Sequence, residues 1–167
     1  MTFSKPFNRR AFTFALIGIG VGMGGCAAPA ARAARAGTGY RRKQVMALVV
    51  REAIDLGVPI SLALAVAHAE SNFDPRAESV KGARGEYAID ADRLWEPRVN
   101  VRLGLHFLRR LIDRYGGRVD WALSYYNGGS AVGPPSRARI IPATRPYIRK
   151  VNRLRAQYRR ALIRGEV

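Results

Sequence analysis

The stretch Ala63-Leu64-Ala65-Val66-Ala67-His68-Ala69-Glu70-Ser71-Asn72-Phe73-Asp74-Pro75 sets a single acid at the foot of an alanine-rich apolar run. Asp74 precedes a proline, which pushes its backbone out of the helical region and predicts a helix end near Ser71. Glu70 then falls in the last turn, where unpaired carbonyls carry the negative end of the helix dipole. That field and the apolar neighbourhood both disfavour a carboxylate, so the pKa of Glu70 is expected to rise. A carboxyl group still protonated near neutral pH is what general-acid cleavage of a glycosidic bond requires. An ordinary exposed acid ending a helix has the same local pattern, so the chemistry depends on what surrounds it.

Other reactive groups are few. One cysteine allows no disulfide framework, and two histidines with that cysteine are too few for a usual zinc site. No metal and no cofactor are expected. His68 and His106 have no partner that the sequence identifies. Asp74 offers a second carboxylate, but an aspartate before Pro75 is more often a turn former.

The elements that must position Glu70 read as helices throughout, with no strand alternation, so the expected class is all-α. Val45, Leu48, Val49, Ala53 and Leu56 recur at helical spacing between Arg41 and Leu56, and Gly57 with Pro59 ends that helix. Residues 76–94 read as an irregular loop over the acid. Glu96-Pro97 opens what is expected to be the longest helix, about Arg98 to Tyr115, with Gly116-Gly117 as its C-terminal cap. Its predicted inward stripe is Val99, Leu103, Phe107, Leu111 and Tyr115, with Gly104 allowing a neighbour to approach. Asp120 is positioned to cap a short helix over Trp121–Tyr126, stopped by Asn127-Gly128-Gly129. A last helix is predicted over Arg145–Ile163, with Tyr147, Val151, Leu154, Tyr158 and Leu162 inside and Arg149, Lys150, Arg153, Arg159 and Arg160 outside.

The N-terminal residues 1–36 read as a leader: Lys5, Arg9 and Arg10 precede an apolar run, and small residues follow. Arg9-Arg10 resembles a twin-arginine signal. Met23-Gly24-Gly25-Cys26 is a loose lipobox, which makes Cys26 a candidate lipidation site, while Ala34-Arg35-Ala36 suits cleavage to a soluble chain. Residues 37–167 form the expected functional domain. Five of the 29 Lys and Arg and none of the 12 acids lie in the leader, so that domain carries a net charge of +12. Such a charge favours acidic partners. With an export signal, these are expected in the cell envelope rather than among nucleic acids.

Four segments carry a family resemblance. Ala69-Glu70-Ser71-Asn72-Phe73-Asp74-Pro75 resembles the catalytic Glu-Ser segment of the Slt-type lytic transglycosylases. Asn100-Val101-Arg102-Leu103-Gly104 resembles the family's Asn-Ile-x-x-Gly helix, Ser124-Tyr125-Tyr126-Asn127-Gly128-Gly129 its Ala-Tyr-Asn-Ala-Gly motif, and Arg145-Pro146-Tyr147-Ile148 its late tyrosine helix. The resemblance spans about Val45 to Leu154. It implies a lysozyme-like helical domain acting on peptidoglycan strands in the periplasm, monomeric and, if Cys26 is lipidated, held at the outer membrane by that anchor alone. It further implies that Glu70 protonates the bridge oxygen between N-acetylmuramic acid and N-acetylglucosamine and then takes the proton of the muramoyl C6 hydroxyl, closing a 1,6-anhydro ring. Ser71 would orient Glu70 or contact a sugar amide. Tyr126 and Asn127 would line the cleft, and Tyr147 would either reach it or simply pack in the core.

One departure stands out. Where the family continues into a Leu-Met-Gln motif and a short helix, Gly82-Ala83-Arg84-Gly85 runs straight into Glu86-Tyr87-Ala88-Ile89-Asp90. Loss of that cleft wall would admit water and reduce the pKa shift of Glu70. The alternative function is therefore a degenerate domain that binds peptidoglycan, or scaffolds an envelope assembly, without cleaving it.

Overall fold

The computed structural model describes residues 41–74 and 96–167 of the chain. Five α-helices make up this part: α1 (Arg42–Asp55), α2 (Ile60–Ser71), α3 (Pro97–Arg114), α4 (Val119–Gly128) and α5 (Arg145–Ile163). Three 3-10 segments, Gly129–Val132, Pro135–Arg137 and Pro142–Thr144, carry the chain from α4 to α5. No strand occurs among the described residues, and the class is all-α. The leader with Cys26, the 76–94 segment and its Gly82–Asp90 departure lie outside the described residues.

α2 packs between α1 and α5. Its alanines and leucines are strong helix formers, and the Pro59 carbonyl accepts the first N–H groups, from Leu62 and Ala63. Leu62, Ala63, Leu64, Ala65 and Val66 are buried in succession, which a helix tolerates only when neighbours cover it all round. α5 makes its most extensive seam and α1 flanks it, while α3 packs on α1 and α4, and α4 also meets α5.

The end of α2 at Ser71 is enforced by more than Pro75. Asn72 adopts the left-handed conformation at φ 53°, its N–H bonding the His68 carbonyl, and Phe73 follows at φ 60°. A bulky residue there is strained and persists only when its surroundings over-determine it. The Phe73 ring is fully buried, 5.6 Å from that of His68 and 6.2 Å from that of Tyr158, with the Arg42 guanidinium 5.7 Å from its centre. Arg42 also donates to the Asn72 side-chain oxygen at 2.8 Å.

Three expectations are corrected. α3 has 18 residues and α5 has 19, so α5 is the longest described helix. Along α3, Val99 and Leu103 are only half-buried, whereas Leu105 and Leu108 are buried with Phe107 and Leu111. The helix carries two overlapping apolar stripes, and the one containing Leu105 and Leu108 is buried, on the face where Gly104 offers Tyr126 a close seat. Asp120 does not cap α4. The helix starts at Val119, two residues before the expected Trp121, and Asp120 accepts a hydrogen bond from the Asn152 amide of α5 at 3.0 Å.

Glu52, on α1, carries no signal in the sequence that marks it as buried. It is completely buried, and its carboxylate accepts bonds from Arg102 at 2.7 Å and Arg98 at 3.4 Å. A buried carboxylate stripped of its partner costs several kcal/mol, so this contact obliges α1 and α3 to stay together.

Candidate active site

Glu70 opens onto a cleft of about 680 Å³, counting the space that communicates with solvent. α1 contributes Val45 and Val49, and α3 contributes Asn100, Val101 and Gly104. Ala67, Glu70 and Ser71 come from α2, and Tyr126 comes from α4. The lining is mostly apolar with a few polar groups, as ligand sites usually are.

Burial of the Glu70 side chain raises its pKa from the ordinary 4.5 to about 7. Two influences work against that rise without cancelling it: a hydrogen bond from the Tyr147 hydroxyl to Oε1, and the positive charge of Lys150. With Oε1 accepting from Tyr147, Oε2 carries the proton of the neutral acid. Lys150 donates to the Ala69 carbonyl at 2.7 Å, fixing the last turn of α2 from the same helix that supplies Tyr147. Near neutral pH this carboxyl group can therefore both give and accept a proton.

Both tyrosines keep their protons. Burial, followed by the charge of Glu70, pushes the phenol pKa values of Tyr126 and Tyr147 upward. The Tyr126 hydroxyl rests over Gly104, where an added Cβ would lie 3.2 Å away. Gly104 thus provides the close approach its type suggests, and the group it admits is a cleft residue.

The expected site residues divide as follows. Glu70 and Tyr126 share the cleft, and Tyr147 reaches Glu70 directly instead of serving only the core. Ser71 lines the cleft, but its hydroxyl donates to the Ala67 carbonyl of its own helix at 3.3 Å and no bond joins it to Glu70. Asn127 is half-buried and is not on the cleft wall, because one step along a helix turns the side chain by about 100° from Tyr126. Asp74 sits exposed at the rim, its N–H bonded to the Ser71 carbonyl at 3.0 Å, which is the turn-forming role.

Sequence reasoning left three participants without a role. Asn100 puts an amide in the cleft, and its i,i+4 spacing from Gly104 was the signal for it. Lys150 stands three residues after Tyr147, on the same helical face. His68 does have a partner: its Nδ1 shares a 2.7 Å hydrogen bond with the Tyr158 hydroxyl. Burial, then the charges of Arg42 and Lys150, lower its pKa, so it remains a neutral tie between α2 and α5. Among the described residues no group of three His, Cys, Asp or Glu side chains is arranged to hold a metal. No protein-family model matches the chain, and no solved structure matches it significantly.

Proposed function

We propose that the protein is a peptidoglycan lytic transglycosylase of the Slt type, acting in the cell envelope with Glu70 as its acid and base. The observation that carries this reading is the state of Glu70, a cleft carboxyl group whose pKa is raised to about 7 and whose Oε1 is held by Tyr147. In the proposed reaction Oε2 gives its proton to the bridge oxygen as the muramoyl C1–O bond breaks. The carboxylate left behind then takes the proton of the muramoyl C6 hydroxyl while O6 bonds to C1. The ring closes to the 1,6-anhydro sugar, water is not consumed and Glu70 is again protonated. A substrate that attacks itself in this way needs no second carboxylate, whereas most glycosidases need two. Tyr126 and the Asn100 amide offer hydrogen bonds to the sugar, and Tyr147 orients the acid.

Mass analysis of a peptidoglycan sacculus digest tests the proposal. The protein is expected to release muropeptides ending in the anhydro sugar, and Glu70→Gln to reduce release by at least about a thousandfold, within the range usual for removing an essential acid–base group. Reducing-end products would instead indicate hydrolysis. Retention on sacculi without any release would favour a binding domain.

A further inference from the structure

α5 carries seven basic residues and no acid along its 19 positions. At about 100° per residue, Arg145, Arg149, Arg153 and Arg160 fall within a quarter-turn arc, and Arg164 continues it just past the helix end. All five are exposed. Arg164 pairs with Glu166, whereas Arg145, Arg149, Arg153 and Arg160 have no acidic partner among the described residues. The arc points away from Ile148, Val151 and Leu154, the buried side of α5, and so away from α2 and the Glu70 cleft. Ile163 falls on the same arc and is 78 % exposed, with Val167 beyond it 45 % exposed.

We propose that this ridge docks the protein on an anionic phospholipid surface, with the arginines on the headgroups and Ile163 entering the interface. A straight convex ridge about 28 Å long touches a plane along its whole length but offers no groove to a polymer strand. Clustered arginines bind negatively charged headgroups. An exposed isoleucine at the end of the row gains only from an apolar phase, which a bilayer supplies and a polysaccharide or nucleic acid does not. No described helix is long and apolar enough to cross a membrane, so this contact is peripheral. It is separate from a lipid at Cys26, and it does not depend on the activity proposed for Glu70.

The test uses the full chain with Cys26→Ser, which removes its one cysteine. Ile163→Cys in that background carries an environment-sensitive fluorophore. Vesicles of phosphatidylglycerol and phosphatidylethanolamine are expected to shift its emission to the blue, and phosphatidylcholine vesicles to leave it unchanged. The triple substitution Arg149→Gln/Arg153→Gln/Arg160→Gln should weaken the response at least tenfold, and Arg51→Gln/Arg137→Gln/Arg139→Gln, with the same charge loss elsewhere, by less than threefold. Circular dichroism checks that both triple variants remain folded. An equal shift from a label at Ile54→Cys on α1, equal loss in the two triple variants, or a response to isolated sacculi but not to vesicles would overturn the proposal.

Discussion

Glu70 is held at odds with its own ionisation, and that has a cost in stability. In the unfolded chain it titrates at 4.5, and in the folded protein at about 7, so the native state binds the proton more tightly. Its favourable contribution is complete below pH 4.5 and is lost as pH rises through 7, above which folding must bury a carboxylate. At about 1.4 kcal/mol per pKa unit, the loss amounts to ~3 kcal/mol. Glu70→Gln removes the ionisation while keeping an acceptor for Tyr147. Urea unfolding should find this variant more stable than the parent by up to ~3 kcal/mol at pH 8, and close to it at pH 4. An equal difference at both pH values would mean that burial does not act on the charge.

The element that sets the site is the seam between α2 and α5. Tyr147, Lys150 and Tyr158 stand on one side of α5 and engage Glu70, the Ala69 carbonyl and His68 in turn. The start of α5 is fixed by a closed ring of bonds. The Ile141 N–H donates to Ser124 Oγ at 3.0 Å, Ser124 and Thr144 hydroxyls meet at 2.8 Å, and Thr144 donates to the Ile141 carbonyl at 2.8 Å. Gly128 makes room for this crossing, since a Cβ there would lie 2.6 Å from Thr144 Cγ2 and 2.7 Å from Ile141 Cδ1. Gly128→Ala is expected to cost about 1–3 kcal/mol, the usual penalty of overpacking, and to lower sacculus digestion by shifting Tyr147. Thermal unfolding and the digest read the two effects. An unchanged melting temperature would show that the crossing is not tight.

Across the whole molecule, what the sequence disclosed was local. α2 was legible because an alanine-rich run and a proline are read without knowing any neighbour. α5 was legible at both ends because Pro146 and a long amphipathic period mark it. Glu70 could be singled out on its position at a helix end. The rest depends on which faces meet. Leu105 and Leu108 are buried in preference to Val99 and Leu103 on the face where Tyr126 seats on Gly104. Glu52 is one acid among several until Arg98 and Arg102 close over it, and His68 lacks a partner until Tyr158 arrives from 90 residues away. Asn127 is expected in the cleft from the motif resemblance, but one helical step from Tyr126 turns it off the described cleft lining.

The proposed chemistry needs a cleft carboxyl group that titrates near neutral pH. A ¹³C titration of the Glu70 side-chain carboxyl, assigned by comparison with Glu70→Gln, measures this directly. The predicted midpoint is about 7. Tyr147→Phe should move it higher, because the lost hydrogen bond favoured the ionised form. A midpoint near 4.5, unmoved by Tyr147→Phe, would contradict the account.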